Sequence, residues 1–148
     1  MTHFDPFGVT FWAGIGVSVA CGAIVGLERQ LRGKPAGVRT SILICMGTAV
    51  FIRLGTSLEG TTADPGRVLG QLVTGVGFLG AGVMFSREGT VVGMTTAAVV
   101  WVLAAIGAAI GFQLYAGAVA LALVTVAILV GIDLAERGRV RRSREQFE

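Results

Sequence analysis

Residues 75–82 read GVGFLGAG, a stretch with two opposite readings. Gly75-Val76-Gly77-Phe78-Leu79-Gly80 satisfies G-x-G-x-x-G, the pattern of a dinucleotide-binding turn. Such a turn needs a strand before it, a helix after it, and an acidic residue about 20 positions on for the ribose. The residue 20 positions past Gly80 is Val100, inside another apolar run, and Glu88 comes too early. The stretch also lies in the uncharged interval between Arg67 and Arg87, which has the length of a bilayer span. The glycines therefore belong to a membrane helix. Two roles stay open for them there. They let helices approach closely, or they break the helix, since each glycine weakens it by about 1 kcal/mol relative to alanine.

The rest of the chain agrees with a membrane setting. Only 14% of the 148 residues are charged, against about 25% in a typical soluble domain, and 53% are hydrophobic. No charge lies between Asp5 and Glu28, between Arg67 and Arg87, or between Glu88 and Asp133. A spanning helix takes about 20 apolar residues, so the first two intervals hold one helix each and the third holds two. Residues 111–115 are the turn within the third. The stretch from Thr40 to Ile52 is short, but Arg39 and Arg53 at its ends can snorkel to the two surfaces. The reading is an all-α, polytopic integral membrane protein with five transmembrane helices, at 9–27, 39–54, 66–85, 94–111 and 115–132. A transmembrane domain then covers 1–132 and a basic tail 133–148.

Five spans put the termini on opposite sides. One side receives ten of the twelve Lys and Arg residues, and the other receives Arg53 and Arg67. The basic side is expected to be cytoplasmic, which places the N-terminus outside and the C-terminus inside. The basic balance then reflects topology, and no nucleic-acid partner is expected. No cleavable leader is expected either, since the first charged side chain is Asp5 where a secretory leader needs a basic start. Cys21 and Cys45 lie inside spans and read as small packing residues.

Gly14, Ser18, Gly22 and Gly26 recur every fourth residue and form one ridge on the first helix. On the third, Gly66, Gly70 and Thr74 form one ridge, and Gly77 and Ala81 another. Asp64-Pro65 is a helix-start signal, with Asp as the cap and Pro at the first helical position. Residues 86–93 read as a short loop. Glu28 is the lone acid among Arg29, Arg32 and Arg39, and an ion pair with Arg29 or Arg39 stands beside a cation, proton or partner site. Arg53 and Arg87 read as surface anchors. For Mg2+, Glu59 and Asp64 on one side or Glu28 and Glu88 on the other are available, and no spacing forces a site. No nucleophile–base pair can be named, and the single His3 lies at the extreme N-terminus, so the chain reads as a non-enzyme that needs no cofactor.

The segments GLERQLRGKPAGVRTSIL, DPGRVLGQLVTGVGFLGAGVMF and GTVVGMTTAAVVWVLAAIGAAIG resemble the MgtC/SapB family of bacterial inner-membrane proteins in order and spacing. The resemblance covers most of residues 10–132. It implies a multi-pass plasma-membrane protein linked to magnesium limitation, acid stress and survival inside host cells, hence to virulence. In some members it implies restraint of the proton-driven ATP synthase. The motif positions fall on Glu28, Arg29, Arg39 and Thr40. They also fall on Pro65, Gly66, Arg67, Gln71, Gly75, Gly77, Gly80 and Gly82, and on Gly93, Thr95, Thr96 and Trp101. Some members carry Asn where this chain has Thr95. The best-known members add a cytoplasmic C-terminal domain, and here about 16 residues follow the last span.

The leading expectation is a regulator that works through contact with itself, a dimer foremost, or with another inner-membrane complex. Its expected contact residues are Glu28, Arg29, Arg39, Arg67, Gln71, Thr95 and Thr96. Its expected packing residues are Gly22, Gly26, Gly75, Gly77, Gly80 and Gly82, with Gly22 and Gly26 among those facing another copy. The alternative is a small cation or proton transporter with a path lined by Glu28, Gln71 and Thr95. The metal, if any, is unknown.

Overall fold

A computed structural model describes residues 7–58, 64–87 and 90–145. Glu59, Glu88 and His3 lie outside these. Five helices follow one another: α1 (Val9–Leu31), α2 (Val38–Leu58), α3 (Pro65–Val83), α4 (Met94–Gly111) and α5 (Tyr115–Glu145). All five are long and apolar enough to cross a membrane. The helix starts fall within a residue of the sequence expectation, and α1, α2 and α5 run further at their C-terminal ends. The basic tail continues α5 as helix to Glu145.

The fold is built on backbone contact at glycines. A Cβ at Gly22 would stand 2.6 Å from Ile42 Cα, and one at Gly26 2.6 Å from Val38 Cα. These two glycines therefore seat α2 against α1 within the chain. The expectation that they meet another copy is corrected: the ridge is already used. On its other side α2 meets α4 in the same manner. A Cβ at Gly107 would lie 2.5 Å from Cys45 O, and one at Gly111 2.6 Å from Ile52 Cβ. Around these contacts Cys21, Val25, Cys45, Leu103, Ile106 and Ile110 form the core. The Cys45 thiol donates to Leu103 O at 3.4 Å.

The other two helices are peripheral. Fully 56% of the apolar span of α4 is buried, but only 11% of α3 and 11% of α5. Helix α5 covers α1 and α4, and α3 leans on α4 through Val76 and Gly80. The α3 start is as expected: Asp64 is the N-cap, its carboxylate accepting from Gly66 N at 2.9 Å, with Pro65 first in the helix.

GVGFLGAG stays regular helix inside α3. A bilayer offers the backbone no outside hydrogen-bond partner, so an intact helix is favoured over the glycine propensity cost. Beyond α3 the expected loop is partly a β-hairpin: β1 (Phe85–Arg87) pairs antiparallel with β2 (Thr90–Val92), Ser86 opposite Val91. Gly93 then caps α4 with φ +93, a left-handed conformation suited to glycine. A Cβ there would also collide with Val83 O.

Candidate functional site

The hairpin end of the bundle gathers the ends of α1 and α3, the start of α4 and the middle of α5. Four turns of small residues bring α1 against α2, and its last turn then carries Glu28 and Arg29 inward, at 8% and 4% exposure. Arg29 Nη2 donates to Thr96 Oγ1 at 3.2 Å, tying α1 to the first turn of α4. Arg32 Nε lies 2.6 Å from Glu28 Oε1, and Arg32 Nη1 contacts Asp133 of α5. The Nε–Oε1 contact is an ion pair whose N–H is not aimed along the hydrogen-bond direction. Glu28 Oε2 and Arg29 Nε are buried without a hydrogen-bond partner among the described residues.

Glu28 and Arg29 border a cavity of about 560 Å³, roofed by β2 and completed by Lys34, Thr95, Thr96 and Asp133. Glu28, Arg29, Thr95 and Thr96 are thus brought together as neighbours. Arg39 is not: it is exposed, and Glu28 pairs instead with Arg32 and not with Arg29 or Arg39. Arg32 stands one turn beyond Glu28 on the same helix, where an (i, i+4) pair meets. That spacing was the signal for the true partner.

Gln71 lies elsewhere. It is exposed on α3 and lines a second groove of about 670 Å³ between α2 and α3, with Thr40, Thr48, Gly75 and Leu79. The expected path through Glu28, Gln71 and Thr95 is therefore divided between two separate hollows. Arg67 is exposed at the opposite end of the bundle, at the start of α3.

At that opposite end Arg53 is a buried residue, not the surface anchor read from sequence. It donates to Thr10 O at 3.0 Å and to the Tyr115 hydroxyl at 2.8 Å, joining α2 to the starts of α1 and α5. Gly14 makes the room, since a Cβ there would stand 2.5 Å from Arg53 Nη2.

The α3 glycines behave unlike those of α1. A Cβ at Gly70, Gly75, Gly77 or Gly82 would meet nothing within 4 Å, and one at Gly80 only Ala97 at 3.9 Å. Gly70, Thr74, Gly77 and Ala81 are all exposed and spaced i, i+4, i+7, i+11, so they share one helix face. The expected tight contact at Gly77 is not made within this chain.

The model of the MgtC family matches residues 15–137. Among curated proteins, the chain is 50% identical over 105 residues to the putative magnesium transporter YhiD of Escherichia coli K12, covering 66% of this chain and 48% of that protein. It is 35% identical over 129 residues to protein MgtC of Brucella abortus, covering 82% and 52%. To protein MgtC of Salmonella typhimurium it is 43% identical over 99 residues, covering 67% and 42%. The chain spans about half the length of the curated relatives it matches. No solved structure matches it.

Proposed function

The chain belongs to the MgtC family, and from that premise we propose a non-enzymatic plasma-membrane regulator, linked to magnesium limitation or acid stress, that works by helix contact. The observation that carries this is the open α3 face of Gly70, Thr74, Gly77 and Ala81. Small residues four apart let two backbones approach within a bilayer, where tight packing drives association. A single such face is complementary to itself, so a second copy docking about a twofold axis is the natural occupant. The ten-to-two Lys/Arg split supports an external N-terminus and a cytoplasmic hairpin end.

Transport of a cation or proton is the second reading. Glu28, buried beside a cavity at the hairpin end, favours it, as does the name of the Escherichia coli relative as a putative magnesium transporter. Purified protein in liposomes separates the two. The regulator predicts Mg2+ and proton fluxes equal to those of protein-free vesicles. A sustained flux that Glu28→Gln abolishes would establish transport instead.

A further inference from the structure

The hairpin-end cavity has a charge arrangement that neither reading uses. Arg32 lies against both Glu28 and Asp133, so the two acids share one cation. With Arg29 and Lys34 on the same cavity wall, three cations stand against two acids, which leaves one positive charge in excess. Arg29 lines this cavity at 4% exposure, and its Nε is buried with no hydrogen-bond partner among the described residues. Leaving such a donor unsatisfied is costly, more so for a charged group.

The start of α4 adds to this. Thr95 and Thr96, in its first turn, line the same cavity. The first amides of a helix lack intrahelical acceptors, and the N-cap here is Gly93, which offers no side-chain oxygen. A helix start with free amides, a buried guanidinium and a lysine at the rim together favour an anion. We propose that this cavity binds a phosphate group, held by Arg29, Lys34 and the first turn of α4.

The remaining walls include Val83, Val91, Met94, Leu129 and Ile132. Such a lining suits an amphiphile, so a glycerophospholipid fits better than free phosphate. The lipid source rests on the membrane placement of the helices, while the phosphate site itself does not.

The test is thermal unfolding of the purified full chain in a non-ionic detergent. The probes are dihexanoyl-phosphatidylglycerol, dihexanoylglycerol and inorganic phosphate. The phospholipid should raise Tm progressively with its concentration and the phosphate-free glyceride should not. Lys34→Gln should weaken phospholipid binding about fivefold, the scale of one basic side chain on an anionic lipid. Lys34 is exposed, so this variant should fold normally even if Arg29→Gln does not. Arg39→Gln, exposed on α2 and outside the cavity, should leave the affinity unchanged. Equal stabilisation by inorganic phosphate, lost in Lys34→Gln, would support the site and assign it to a free anion. No stabilisation by either phosphate-bearing probe, or stabilisation indifferent to Lys34→Gln, would overturn the proposal.

Discussion

Gly26→Leu should leave little folded protein in the membrane, and Gly22→Leu should do the same, while Gly77→Leu should leave the protein level near wild type. The obstacle at Gly26 and Gly22 is backbone: Val38 Cα and Ile42 Cα, each 2.6 Å from where the new Cβ would stand. A side-chain tip can swing aside, but a helix axis moves only as a body. Separating α1 from α2 would also loosen Cys21, Val25 and Cys45 in the core. Overpacking a dense interior costs about 1–3 kcal/mol for small intrusions and more for a leucine against backbone. That is a large share of a total stability of about 5–15 kcal/mol. Even alanine should be harmful at Gly22 and Gly26, since the Cβ itself is the intruder. At Gly77 nothing lies within 4 Å, so the fold should accept leucine. Immunoblots of membranes, with size exclusion in detergent, read this directly, and wild-type levels of Gly26→Leu would refute it.

That contrast shows what could and could not be read from sequence. The five helices were legible because long uncharged intervals between charges leave few alternatives in a bilayer. Asp64-Pro65 marked the start of α3 for a local reason, and local reasons survive folding. Glycine spacing showed which residues share a face but not what that face meets. Gly22 and Gly77 look alike in sequence, yet one is filled by α2 and the other is open. The burial of Arg53 is hidden in the sequence for the same cause: its partners, Thr10 and Tyr115, come from two other helices. The hairpin is not legible because three-residue strands give little periodicity, although Thr90-Val91-Val92 is rich in β-branched residues.

The second large effect concerns charge. Arg32→Met should strand Glu28, which is 8% exposed and has no hydrogen-bond partner among the described residues for either carboxylate oxygen. Breaking a buried ion pair from one side costs about 3–5 kcal/mol, and the 21% exposure of the Arg32 side chain argues for the lower end. Adding Glu28→Gln to Arg32→Met should recover much of the loss, because the stranded charge is then gone. Arg39→Gln should cost within about 0.5 kcal/mol, as an exposed substitution does. Denaturant unfolding in detergent of Arg32→Met, Glu28→Gln, their double variant, Arg39→Gln and wild type reads the cycle. Equal losses from Arg32→Met and Arg39→Gln, or additive losses in the double variant, would contradict the pairing.

The central claim is that the open face of α3 meets a second copy, and disulfide crosslinking in native membranes tests it most directly. With Cys21 and Cys45 replaced by alanine, single cysteines are placed at Gly70, Thr74, Gly77 and Ala81, and at Gly16 on the open side of α1 as a control. At native expression, oxidation should give a covalent dimer from the α3 positions, strongest at Gly70 and Gly77, and none from Gly16. Monomer alone at all four α3 positions, or a dimer as abundant from Gly16, would contradict it.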